Sequence, residues 1–194
     1  MRLLVVGERG SGKTTWCREY IDRRRKSGAS VGGILSPAIE HQGQRIGSNA
    51  LDLLTGRDVP FARLSSHWCA KEGETVGDYT ISKDGMLFAC GAIGRAVESS
   101  CDLVVIDEVG PLELSGKGLM PAVESALASA ANLLIVVRSS LREAFQKRFP
   151  ECEFVVVADL RQSTSNVTQP ANGKNGEVAA YESRTEGRQT QETK

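Results

Sequence analysis

The apolar residues come in short blocks, separated by stretches of helical period or polar composition. Leu3-Leu4-Val5-Val6 is the first block, and Thr15 to Lys26 after it reads as a helix. Val31 to Ser36 predicts a second strand, ended by Pro37. Polar Glu40 to Arg45 centres on Gly43, with apolar residues at mixed spacing beyond it. That pattern predicts a β-hairpin over Ile39 to Leu54, projecting from the sheet. Phe61 to Leu64 and Tyr79 to Ile81 read as short extended pieces around the glycine-bearing stretch Gly73 to Gly77. Asp84 to Ser100 predicts a helix with Asp84 as its N-cap. Leu103-Val104-Val105-Ile106 has no polar alternation, the mark of a strand covered on both faces. A helix over Gly118 to Ala131, a strand over Leu133 to Val137, a helix over Leu141 to Phe149 and a strand over Phe154 to Val157 complete the pattern. Strands alternating with helices predict a layered α/β fold: a mostly parallel twisted sheet sandwiched between helices, with the hairpin as an insertion.

The pattern stops near residue 160. From Gln162 to Lys194 the chain is rich in Ser, Thr, Asn, Gln, Gly and charge, with Val167, Val178 and Tyr181 its few bulky apolar residues. Such a segment buries too little surface to offset its ordering entropy. The expected organisation is therefore one domain over 1–160 and a disordered polar tail over 161–194. No repeat of solenoid or propeller period is visible.

The loop after the first strand changes the picture from fold to chemistry. Gly7 to Thr14 reads Gly-Glu-Arg-Gly-Ser-Gly-Lys-Thr, a complete G-x-x-x-x-G-K-[ST] phosphate loop. It stands between a predicted strand and a predicted helix, the context that gives the motif meaning. Its glycines let backbone N–H groups converge on phosphate oxygens, and the helix N-terminus adds partial positive charge. Gly7, Glu8, Arg9, Gly10, Ser11, Gly12, Lys13, Thr14 and Thr15 are the candidate nucleotide-binding residues. Lys13 reaches for the β- and γ-phosphates, and the Thr14 hydroxyl is a candidate Mg²⁺ ligand. The strand ending at Ile106 delivers Asp107 and Glu108. Asp107 is the candidate metal-side acid facing Thr14. Glu108, directly after it, is the candidate for orienting and polarising a water for in-line attack on a γ-phosphate. Arg9, Arg138 and Arg142 are the candidate cations for transition-state charge. Arg138, at the carboxyl end of a buried strand, leads as a γ-phosphate sensor or arginine finger in cis.

These residues resemble a known family. Gly7 to Thr15, Gly32 to Pro37, Arg45-Ile46-Gly47 and above all Ile106-Asp107-Glu108-Val109-Gly110-Pro111-Leu112-Glu113-Leu114 are similar to the nucleoside-triphosphatases of the thermophile type. That group includes the cancer-related nucleoside-triphosphatase of animals. The resemblance runs from Met1 to about Leu160. It implies a P-loop NTPase fold whose catalytic glutamate follows the magnesium aspartate. It also implies slow, Mg²⁺-dependent hydrolysis of ribonucleoside triphosphates to diphosphate and phosphate, with loose base selectivity, in the cytoplasm. A nucleotide or small-molecule kinase, and a nucleotide-dependent switch or binding module, are the alternatives. The segment after Val137 departs from the family, so Arg138 inherits no support there. In the Gly-Pro-x-Glu block, Pro111 restrains Gly110 in a rigid turn beside Asp107, and Glu113 either points back to the site or caps the next segment.

Composition bounds the partners. In 194 residues, 24 Lys and Arg balance 24 Asp and Glu, so no global field calls for nucleic acid or an anionic membrane. No apolar run approaches bilayer length, and the opening residues do not read as a signal peptide. Cys17, Cys69, Cys90, Cys101 and Cys152 are odd in number and hold no C-x-x-C, as expected of reduced thiols in a cytoplasmic chain. A monomer is the favoured state. Base selectivity has no clear carrier: there is no Asn-Lys-x-Asp run, and His41, His67, Trp68 and Trp16 are the candidate stacking residues, with Trp68 leading.

Overall fold

Alternation along the buried runs splits their side chains between two cores. The computed structural model describes residues 1–66 and 73–160. The tail expected over 161–194, and the stacking candidates His67 and Trp68, lie outside the described residues. Strands β1 (Arg2–Gly7), β8 (Leu103–Val109) and β9 (Leu133–Arg138) occupy the middle of the sheet. Leu4, Val6, Val104, Ile106, Ile135 and Val137 point to one face. Leu3, Val5, Leu103, Val105, Leu134 and Val136 point to the other. The first face is covered by α2 (Lys83–Glu98), the single turn α3 (Pro111–Leu114), α4 (Met120–Ala128) and α5 (Arg142–Arg148), through Ala89, Ala92, Ile93, Leu114, Val123 and Phe145 among others. The second is covered by α1 (Lys13–Lys26), through Cys17, Tyr20 and Ile21. Burial pushes the Cys17 thiol up, so this cysteine is core filling rather than a nucleophile.

The expected α/β sandwich is present, and its sheet is mixed. The remaining strands are β2 (Val31–Leu35), β3 (Ala38–His41), β4 (Gln44–Asp52), β5 (Asp58–Leu64), β6 (Gly73–Val76), β7 (Tyr79–Ser82) and β10 (Val155–Leu160). The order is β10-β1-β9-β8-β2-β4-β5-β7-β6, with β3 paired to β4. From β10 to β2 the neighbours are parallel, which is the half that carries the phosphate loop. From β2 onward they are antiparallel and form a wing. One consequence governs the site: β9 is inserted between the phosphate-loop strand β1 and the acidic strand β8.

The expected hairpin is real, and Gln42 and Gly43, both at positive φ, make its two-residue turn. Within the sheet, β3 lies beside the main strand order and pairs with β4. The β4 strand continues that order, because Ile34 and Leu35 pair with Asp52 and Leu51. The Gly73 to Gly77 stretch, which carries no predicted element, begins with strand β6, whose order comes from pairing with β7 rather than from its own composition. The N-cap of α2 is Ser82 instead of Asp84, its hydroxyl accepting from Gly85 N at 3.2 Å. The helix expected over Gly118 to Ala131 is shorter, Met120–Ala128, since Gly118 lies at φ 58° and Pro121 opens the first turn. Gly33 in β2 has φ 90°, and a Cβ there would come within 2.7 Å of Val105 N. The strand pair β2–β8 closes only around a glycine.

Candidate active site

The phosphate loop forms where β1 ends and α1 begins, as the sequence predicts. Gly10 and Gly12 lie at φ 77° and 85° and turn the chain, and Lys13 opens the helix. The Lys13 ammonium donates to Glu8 O at 2.7 Å and stands 3.7 Å from Glu108 Oε2, with its side chain almost fully buried. A lysine so placed gives up most of its hydration and is ready to exchange it for phosphate oxygens.

Asp107 is the most enclosed charged group of the site, 1% exposed. Its Oδ2 accepts from Thr14 Oγ1 at 2.9 Å and from Ser36 N at 3.0 Å, and Ser36 Oγ donates to its carbonyl. Burial pushes its carboxyl up to about 6, and the neighbouring Glu108 charge adds to this. The bonds from Ser36 and Thr14 and the Lys13 charge oppose both. A buried carboxylate beside a hydroxyl oxygen is a hard-oxygen donor set, the kind Mg²⁺ takes. Among the described residues no group of three or more His, Cys, Asp and Glu forms a metal cage. Mg²⁺ fits that scarcity, because it binds through one or two protein oxygens and completes its shell with waters and substrate phosphates. Thr14 and Asp107 are the residues that would hold it.

Glu108 lies one residue further along β8, after a cis Asp107–Glu108 peptide. It is partly exposed and faces two cations: Lys13 on Oε2 and Arg138, whose Nε donates to Oε1 at 2.5 Å. Arg138 thus enters the site as expected, but its head rests on Glu108 instead of over the phosphate loop. Of the other two arginine candidates, Arg9 lines the same cleft and Arg142 does not. Arg9 keeps its backbone in the loop while its guanidinium stacks over the Tyr79 ring, 4.7 Å from the centroid. Arg142 bonds Gln146 at 3.2 Å and lines a separate pocket of about 350 Å³ with Val6 and Ser139.

Glu113 caps the turn after the acidic pair. Its Oε2 accepts from Gly110 N at 2.8 Å and its Oε1 from Leu119 N at 3.3 Å. Burial raises its carboxyl above the ordinary value, and these backbone bonds only partly offset that. The block Gly110 to Glu113 is therefore a rigid platform for Asp107 and Glu108. Of the stacking candidates, Trp16 stacks on Tyr20 at 5.2 Å on α1, and His41 is exposed on β3.

Phosphate loop and acidic pair open into one cleft of about 870 Å³, which runs on along the wing past Arg45, Phe61 and Tyr79. Two features escaped the sequence. Ser36, which grips Asp107 from just beyond β2, reads locally as an ordinary strand end. The wing wall depends on the pairing of β4 with β5 and of β5 with β7, which no one segment encodes by itself.

The family model described as NTPase matches residues 2–170, most of the chain. The chain belongs to the NTPase family. Relatives agree: the nucleoside-triphosphatase THEP1 of Methanopyrus kandleri is 33% identical over 167 residues, covering 86% of this chain and 83% of the relative. That of Methanothermobacter thermautotrophicus is 32% identical over 162 residues, covering 83% and 90%. Two solved structures share the fold. A human cancer-related nucleoside triphosphatase superposes with a TM-score of 0.63 at 20% identity, covering 96% of this chain and 98% of the other. THEP1 from Aquifex aeolicus superposes with 0.63 at 21% identity, covering 86% and 94%. This chain pairs its phosphate loop with the Asp107-Glu108-Val109-Gly110-Pro111 block. No helix among the described residues is long and apolar enough to cross a membrane.

Proposed function

We propose that this protein is a Mg²⁺-dependent nucleoside-triphosphatase that converts NTP to NDP and phosphate with broad base tolerance. The observation that carries this reading is the position of Glu108: it follows the buried Asp107 directly and turns one oxygen toward Lys13. The lysine would receive the terminal phosphates, so Glu108 beside it would be within reach of a water that attacks the γ-phosphate. The backbone of Gly7 to Thr15 cradles the phosphates, and Lys13 neutralises charge on the β- and γ-groups. Thr14 and Asp107 would hold the metal, which would supply further positive charge to the phosphate oxygens. Arg138 adds positive charge next to Glu108. The relatives' name supports the reaction.

We further place the catalytic domain over 1–160, with 161–194 as a polar extension, in a cytoplasmic monomer. The free thiols of Cys17, Cys90, Cys101 and Cys152 support a reducing compartment. One observation favours a second reading, phosphoryl transfer to an acceptor: the cleft extends past Glu108 along the wing, beyond what the phosphates alone occupy. Phosphate release from each of the four ribonucleoside triphosphates, with Mg²⁺ and with a chelator, separates the two. Hydrolysis predicts comparable release from several nucleotides, lost with the chelator. Formation of NDP that starts only on adding an alcohol or nucleotide acceptor, with the phosphoryl group carried onto that acceptor instead of released as phosphate, would replace this reading with the second.

A further inference from the structure

The insertion of β9 between β1 and β8 forces its last residue to border both halves of the site. Arg138 pairs across the sheet with Gly7, and Val137 with Val109. An arginine there has two places for its head: over the phosphate loop, or against the acid on β8. The guanidinium lies against the acid. Its Nε donates to Glu108 Oε1 at 2.5 Å, and its Nη2 runs along the Gly110 turn, where a Cβ on Gly110 would be 3.8 Å away. The second oxygen of Glu108, Oε2, stands 3.7 Å from the Lys13 ammonium. The two carboxylate oxygens therefore have unlike surroundings. One is fixed by a charge-assisted hydrogen bond; the other faces the lysine that serves the terminal phosphates.

We infer that Arg138 is a positioning residue acting through Glu108: it anchors Oε1 so that Oε2 becomes the oxygen that accepts the proton of the attacking water. This rests on the hydrolytic reading above. In the step, the water oxygen bonds to the γ-phosphorus while the bond from that phosphorus to the β,γ-bridging oxygen breaks. The water proton passes to Oε2, and the electron pair of the broken bond leaves with NDP. Glu108 is partly solvated, so without an anchor its carboxylate spreads over several rotamers, few of which aim Oε2 at the water. A guanidinium suits the task because Nε–H points in one fixed direction from a planar fork. A cation that touched the γ-phosphate would instead stabilise transition-state charge by itself, with or without Glu108.

A double-mutant cycle on the full chain distinguishes these roles. Turnover, KM and nucleotide dissociation constants are compared for the native protein, Arg138→Ala, Glu108→Gln and the double variant. Arg138→Gln runs alongside to separate loss of bulk from loss of the Nε donor. Positioning predicts a fall in kcat of about tenfold for Arg138→Ala and Arg138→Gln, with KM and affinity within about threefold. In the Glu108→Gln background the same change should alter kcat by less than about twofold. An equal loss in both backgrounds, or a fall of the ~10³-fold size of an arginine finger, assigns Arg138 to the phosphate and overturns the inference. Native turnover in Arg138→Ala overturns it as well. Native turnover in Glu108→Gln sinks the hydrolytic reading itself, an outcome distinct from the other two.

Discussion

At the scale of residues, the site is a set of contacts in which each charged group has a polar or charged partner. Ser36 and Thr14 grip Asp107, Glu8 and Glu108 receive Lys13, and Glu113 ties down the turn after the acidic pair. Much of this was legible. Gly7 to Thr14 and Asp107-Glu108 announce themselves because phosphate binding demands fixed residue types at fixed spacing. Ser36 was not, since its role comes from lying beside β8 and not from any local signal. Arg138 was legible in place but not in aim: a strand end fixes a Cα, while a long side chain chooses its partner in three dimensions. Glycine at 33 makes a residue-level prediction. Gly33→Ala places a side chain at φ 90° against the backbone of Val105. The variant should lose ~3 kcal/mol of unfolding free energy in denaturant titration. A loss under about 0.5 kcal/mol would show that the β2–β8 approach is slack.

At the scale of elements, the parallel strands carried their own signal and the wing did not. The runs in β1, β8 and β9 are apolar because both faces are covered. The wing strands are half exposed and ordered by one another, so the short β6 carried no signal of its own. One buried carboxylate joins the wing to the core. Asp52, at the end of β4, accepts from Leu54 N, Thr55 Oγ1 and Arg95 of α2. Burial alone would raise its carboxyl, but the Arg95 guanidinium and the bonds from Leu54 and Thr55 win and hold it below the ordinary 3.8. A depressed carboxyl stabilises the fold above the unfolded value and loses that contribution as pH falls through the folded one. Asp52→Asn should therefore be less stable than the native chain near neutrality, with the gap in melting temperature closing below pH ~4. A gap that stays constant down to pH ~2 would contradict the assignment.

At the scale of the whole molecule, strand order is what turns two sequence motifs into one site. β1 and β8 are far apart in sequence and are not neighbours in the sheet, yet β9 between them brings both carboxyl ends to one edge. Alternating strands and helices foretold a parallel sheet, but not which strand lies next to which, since order is set by long-range packing. The same order leaves the wing beside the acidic pair, so the cleft continues past Glu108 instead of ending there. The central claim is that Glu108 serves the water. The most direct test is single-turnover phosphate release by Glu108→Gln, with binding of the Mg²⁺-nucleotide measured on the same sample. The account predicts native affinity within about threefold and release slowed at least about 100-fold. Release at the native rate with nucleotide bound would contradict it.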